Sequence, residues 1–517
     1  MIPTICALLA LAPSPGGGLV IRNGVVYDGT GSPSRRVDIR IVGDTIRAVG
    51  NIRALPGDRV IDAKGLAVSP GFIDSHSHAD GGVLQDPDAE THIRQGITTS
   101  MVGEDGFSTY PLAKWFDKLR QQPVALNFGS FVGEGTIRHL VMGDSQKKPT
   151  PAQLDQMREM IDQEMRSGAR GLSTGLEYEP NRYADTDEVV ACALVAAKRH
   201  GIYISHVRNE DNHAFNSFNE LIEVARRDHM PAEINHIKIA STRVWHRADD
   251  VKNLMTEAAK EGEDITADVY PYLFWQSTIR VVIMTEQFDD RAQWEQGFKD
   301  VGGPENIRLT TYSPDPTWAS KTLAEISKST GKDPIDLAQE IIANCYSPGK
   351  HGLESVVVTA MSEDDLKKFI ANPKISFCSD GGLHGTHPRG AGSFPRILGV
   401  YVRQQHVIPL QEAIRKMTSL PAWRFGLADR GKIAPGMKAD ITIFDPAKVI
   451  DMATVEKPEA SPVGITTVIV NGVPALLDGK FTHAHPGRPL PMGSYKPIVI
   501  AKNVQMQPAQ ESAGSRG

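Results

Sequence analysis

Eight apolar segments of strand length, most of them followed by a stretch of helical periodicity, fill the centre of this chain and constrain its fold more than any other feature. They are Ala67–Asp74, Thr98–Gly103, Val124–Gly133, Gly168–Gly175, Ile202–Val207, Glu233–Ile239, Asp264–Val269 and Ile375–Asp380, with helical stretches such as Pro151–Gly168 and Asp187–His200 between them. Strands alternating with helices in this way predict an α/β fold, a (β/α)8 TIM-like barrel, over about residues 66–425. The separation between the seventh and eighth segments exceeds one crossover and predicts an inserted, mostly helical unit over about 280–370.

The flanks have a different texture. Residues 19–65 read as short strands broken by Asn23-Gly24, Asp28-Gly29 and Gly43-Asp44, and residues 426–500 repeat the pattern in Ala439–Phe444 and Thr467–Gly472. Both chain ends are therefore expected to pair into one small composite β-sandwich. Residues 1–18 hold an apolar run, Ile2–Ala12, ahead of a Pro/Ser/Gly stretch. This resembles the back half of a secretory signal, without its basic start, and favours export, with a cytoplasmic location as the alternative. The Gln/Ser/Gly-rich tail, 501–517, is expected to be disordered. Elsewhere no run approaches the ~18 apolar residues of a membrane span. A net charge of −6 with no basic stripe gives no hint of a nucleic-acid footprint, and no nucleic-acid partner is expected. The four cysteines, Cys6, Cys192, Cys345 and Cys378, form no C-x-x-C pair, so neither a zinc knuckle nor a redox motif is encoded.

Chemistry concentrates at the ends of the strand segments. The first runs into Gly71-Phe72-Ile73-Asp74-Ser75-His76-Ser77-His78, where residues two apart share a face, so His76 and His78 converge and suit a divalent metal. Alone this pair carries little weight, because H-x-H also occurs on ordinary surfaces. Its force comes from His206 and His236, each the single histidine near the end of an apolar strand, and from Asp380, which closes the last strand. One such histidine is usually a packed core residue; two in matching positions, with a carboxylate, converge on the face where barrel active sites collect. His92, His139, His213 and His229 lie in polar contexts and are expected to be solvated, while His384 and His387 either line the pocket or are structural.

The chain resembles the amidohydrolase superfamily, and within it the N-acyl-D-amino-acid deacylase (D-aminoacylase) family, from about Leu19 to Pro489. The likeness rests on Gly71–His78, Gly168–Tyr183, His206–Glu210, His236–Lys238, Asp268–Tyr272, Ser379–Arg389, Met417–Ala422 and Gly431–Phe444. It implies the barrel with its sandwich, and it implies zinc, as one or two ions. It also implies that His76, His78, His206 and His236 ligate metal, that Asp380 ligates metal and acts as general base and acid, and that Arg389 holds the carboxylate of a small-molecule substrate. Lys238, Tyr270 and Ser277 match substrate-side positions. The family's strand-two motif carries a metal-binding cysteine; here Gly103-Glu104-Asp105-Gly106 places Asp105 there. Either Asp105 ligates, with Glu104 the second candidate and a metal other than zinc open, or it does not, which leaves a three-histidine or His-Asp site. Strand four has no lysine, unlike the hydantoinase-like relatives that bridge two metals through a carboxylated one.

A metal-dependent hydrolase of linear amides follows from this resemblance, acting on N-acyl-D-amino acids. A metal-dependent dipeptidase or lactonase on the same scaffold is the alternative, and a non-catalytic binding barrel is less favoured because the ligand set persists.

Overall fold

The computed structural model describes residues 17–493 apart from Met284 and Glu286. The apolar leader, Cys6 and the tail lie outside the described residues. Eight parallel strands form the central unit: β1 (Phe72–Asp74), β2 (Ile97–Val102), β3 (Asn127–Ser130), β4 (Gly171–Gly175), β5 (Ile202–His206), β6 (Ala232–Ile234), β7 (Ile265–Val269) and β8 (Ile375–Phe377). They pair in two runs, β3-β2-β1 and β4 through β8. At one seam the chain of β3 continues past Phe131 into Val132–Gly133, which pairs with β4. At the other, Asp380 N donates to His76 O at 2.9 Å and His78 N to Gly381 O at 3.0 Å. The barrel therefore closes on the segments that carry the first and last site residues. Helices such as Thr186–Lys198, capped by the Asp185 side chain on Glu188 N, cover its outside.

Ala67–Asp74 is not one barrel strand. Ala67–Pro70 pairs with Ile441–Phe444 and Val25–Val26 in the sandwich, and only Phe72–Asp74 enters the barrel. Gly71 makes the break: its N–H bonds Asp440 O, and a Cβ there would lie 2.2 Å from Thr98 Oγ1, so only glycine lets the strand cross between the two sheets at this spot. The sandwich places a four-stranded sheet from residues 19–62 against a seven-stranded sheet built from both chain ends. Ile21, Ile39, Ile46, Val68, Ile441 and Ile469 fill the space between them. Residues 487–492 then leave the sandwich and run beside β3, with Leu490 N on Phe128 O at 2.7 Å.

The insertion has the helices expected over about 280–370, but it also holds a sheet that helical periodicity did not predict. It begins at Phe274 and is organised by a three-stranded antiparallel sheet of Phe274–Ser277, Glu354–Thr359 and Ile307–Tyr312. Three helices, Arg291–Asp300, Leu323–Thr330 and Pro334–Tyr346, pack on that sheet around a separate core that includes Trp294, Ile307, Ile341 and Val356. The physical reason is non-local pairing: the strand that starts the unit meets its partner only after all three helices have intervened. Among the described residues, no helix is long and apolar enough to cross a membrane.

Candidate metal centre

Strand ends and the loops just beyond them bring the ligand-type side chains together. His76 Nε2 lies 3.4 Å from Asp105 Oδ2 and 3.6 Å from Asp380 Oδ1; His78 Nε2 lies 3.3 Å and 3.4 Å from the same two oxygens. On the other side of Asp105, its Oδ1 is 3.3 Å from His236 Nε2 and 3.8 Å from His206 Nδ1, and these two nitrogens are 3.0 Å apart. One carboxylate thus divides its oxygens between two groups able to hold an ion, His76–His78–Asp105–Asp380 and Asp105–His206–His236. Both ring nitrogens of His76 are buried without a hydrogen-bond partner. Buried polar groups are normally satisfied, so an orphaned imidazole facing two carboxylates fits a cation that completes the set.

The backbone is bent to make this convergence. Asp105 (φ +53°), His236 (φ +33°) and Asp380 (φ +49°) all lie in the left-handed region, which costs such residues on the order of 1–3 kcal/mol each and is characteristic of functional sites. Surrounding contacts hold them there. Asp268 Oδ1 accepts His236 N at 2.7 Å, and Asp74 Oδ1 accepts Ser379 N at 2.7 Å, beside Asp380. A Cβ on Gly175 would lie 2.0 Å from Asp105 O, so glycine at the end of β4 is what lets the Asp105 loop close over the barrel mouth. Glu104, the second candidate, lies on the other side of the His76 ring: it is buried, with Oε2 3.6 Å from His76 Nδ1.

Arg389 Nη1 pairs with Asp380 Oδ2 at 2.6 Å, leaving Asp380 Oδ1 toward the histidines. Burial alone would raise the Asp380 carboxyl, but Arg389 and the imidazoles outweigh it and hold the group well below the usual carboxylate range. The Arg389 guanidinium sits 4.9 Å over the Tyr270 ring, whose buried hydroxyl has no hydrogen-bond partner. Lys238 is placed differently from a free substrate cation. Its Nζ is 2.7 and 2.8 Å from the two oxygens of Glu210, so its charge is already matched. Ser277 lies on the first inserted strand and, with Trp275, Val281 and Val282, lines a cavity of about 350 Å³ that reaches His78, Asp105, His206, His236, Asp380 and Arg389.

Three residues here have no role assigned from sequence: Glu177, Tyr178 and Glu210. Glu177 Oε2 is 2.7 Å from His206 Nε2, and the Tyr178 hydroxyl is 3.3 Å from His206 Nδ1. Their signal was membership of the motif segments Gly168–Tyr183 and His206–Glu210. His92, expected to be solvated, is fully buried. Its Nε2 is 3.2 Å from Ser77 Oγ and 3.7 Å from Asp74 Oδ2, directly beneath the His76–His78 turn. His139 and His213 lie at the surface. His387 is structural: Nδ1 accepts Arg389 N and Nε2 donates to Phe274 O, both at 3.0 Å. Burial and the adjacent Arg389 push its imidazole well below the usual histidine range, which keeps it neutral in that arrangement.

The chain is similar to known proteins over most of its length. The amidohydrolase family pattern matches residues 59–300 and 359–475, and the gap between them falls within the insertion. D-aminoacylase of Alcaligenes xylosoxydans xylosoxydans is 33% identical over 497 residues, covering 91% of this chain and 97% of that protein. A D-aminoacylase structure described by its binuclear metal centre superposes with a TM-score of 0.80 at 32% identity, covering 92% of this chain and 99% of the other. N-acyl-D-glutamate deacylase of Bordetella bronchiseptica, solved with zinc and a phosphonate mimic of the tetrahedral intermediate, does so with a TM-score of 0.80 at 31% identity and the same coverage. The chain belongs to the amidohydrolase family.

Proposed function

We propose that this protein is a zinc-dependent deacylase that cleaves N-acyl-D-amino acids to a carboxylate and a free amino acid. The observation that carries the reading is Asp105, with its two oxygens divided between two imidazole groups on the floor of a cavity that also holds Arg389. Relatives named for D-aminoacylase and N-acyl-D-glutamate deacylase activity support the amide and the D configuration.

The residues that would hold the ion or ions are His76, His78, Asp105, His206, His236 and Asp380. A bound divalent ion supplies Lewis acidity, which lowers the pKa of a coordinated water and polarises the amide carbonyl. Asp380, on the ligand side of the cavity, accepts the proton of the attacking water and delivers it to the departing nitrogen, because an amide leaves poorly as an anion. Tyr178, with its hydroxyl beside His206, is a hydrogen-bond donor for the oxygen that gains charge. Arg389 offers its guanidinium fork to the substrate α-carboxylate, exchanging Asp380 for a substrate partner.

The wall also speaks to the substrate side chain. Among the described lining residues the cations are Lys238 and Arg389, and Glu210 already neutralises Lys238. A second substrate carboxylate would meet no uncommitted cation. N-acetyl-D-glutamate is therefore expected to have a kcat/KM on the order of tenfold or more below that of N-acetyl-D-leucine. Amine release measured on N-acetyl-D- and N-acetyl-L-amino acids, beside dipeptides and lactones, tests the whole reading. Turnover of the D series supports it; turnover confined to dipeptides or lactones replaces it with a peptidase or lactonase.

A further inference from the structure

We propose that Glu177 is a positioning residue for the second half of the centre: it fixes the His206 imidazole with Nδ1 toward Asp105 and strengthens the hold of that half on its ion. The proposal rests on the metal-dependent reading above. An imidazole that coordinates through one nitrogen carries its proton on the other, and a carboxylate on that N–H fixes both tautomer and ring orientation. His206 meets this requirement. Its Nδ1 faces His236 Nε2 at 3.0 Å and Asp105 Oδ1 at 3.8 Å, while its Nε2 meets Glu177 Oε2 at 2.7 Å. Glu210, the other carboxylate near Nε2, is 3.6 Å away and bound at both oxygens by Lys238, which leaves Glu177 as the partner of the ring N–H.

The backbone shows that this contact is built. Leu176 N donates to His206 O at 3.0 Å, so the residue before Glu177 is pinned to the one whose side chain Glu177 grips. In the opposite half, His76 has no such support. His76 Nδ1 lacks a hydrogen-bond partner, its nearest carboxylate, Glu104, being 3.6 Å away. The two halves of the centre are thus unequal by construction, and losing Glu177 weakens one of them.

The test is Zn2+ binding to apo-protein, by calorimetry and chelator competition, for wild type and Glu177→Gln. The variant keeps the side-chain shape but loses the charge. One Zn2+ is expected to bind about 10–100-fold more weakly, the usual cost of removing such a partner, with any other ion unaffected. The rise in Tm on adding Zn2+ should shrink while the Tm of the apo-variant matches that of the wild type, a separation that a purely structural role would not produce. Glu177→Asp, which restores the charge on a shorter arm, should recover part of the affinity. Unchanged affinity of every ion in Glu177→Gln, or an equal loss at two sites, overturns the role of Glu177. Wild-type protein that takes up no Zn2+ overturns the metal reading beneath it.

Discussion

Replacing Asp380 by Asn is expected to lower kcat on an N-acyl-D-amino acid by about 10²–10⁴-fold, the range for losing a general acid–base group. That corresponds to roughly 3–5 kcal/mol of barrier at about 1.36 kcal/mol per tenfold. The substitution is well suited to separate chemistry from folding. Asp380 sits at φ +49°, a conformation asparagine tolerates better than most residues, and Asn preserves the shape that accepts the Arg389 contact. What it removes is the ability to take a proton and the negative charge facing His76 and His78 at 3.6 and 3.4 Å. Steady-state kinetics beside a thermal melt decide the matter. A variant that melts like wild type and keeps more than about a tenth of its kcat removes Asp380 from the proton-transfer role.

The second large effect concerns stability. Arg430 is buried where the sandwich meets the barrel, donating to Asp440 Oδ2 and, at 2.8 Å, to Asn471 Oδ1. Asp440 Oδ1 accepts Asn471 N at 2.7 Å, and Asn471 Nδ2 reaches Asn127 Oδ1 at 2.7 Å, at the first residue of β3. Arg430→Met leaves the Asp440 carboxylate buried without its countercharge and is expected to cost about 3–5 kcal/mol in chemical denaturation. The Arg430→Met/Asp440→Leu double variant removes both charges and should recover part of that loss, since an absent pair is far less damaging than a broken one. A single variant as stable as wild type would show that this junction contributes little.

The barrel and its candidate ligand histidines were legible because they obey local rules. An apolar strand closed by one polar residue marks both the element and the direction its last side chain faces, as in Ile202–His206 and Ile375–Asp380. What escaped depends on contacts distant in sequence. Ala67–Asp74 is one apolar run, and the change of sheet at Gly71 is visible only once Thr98 occupies the space a Cβ would need. The sheet of the insertion joins Phe274–Ser277 to Glu354–Thr359 across three intervening helices, so helical periodicity dominated the reading. His92 looked polar in its neighbourhood but faces inward onto Ser77 and Asp74, partners supplied by β1 and the turn after it. Glu177 and Tyr178 stand past the end of β4, where the alternation that orders strand residues no longer applies.

Asp105 was the least secure position in sequence, a carboxylate where the family resemblance implies a cysteine. The structure places it between the two imidazole groups, with one oxygen toward each. A carboxylate is a harder donor than a thiolate, so this chain should accept hard divalent ions more readily than the same site with a thiolate in that place would.

Hydrolysis by this chain should depend on a metal held by these residues. The most direct measurement is amine release from N-acetyl-D-leucine by native protein, by protein dialysed against a chelator, and by the dialysed protein after Zn2+ is restored. Activity is expected in the first sample, loss in the second to below about a hundredth of it, given how much of the chemistry the ion supplies, and recovery in the third. Undiminished turnover by chelated protein shown to be free of metal would contradict that dependence.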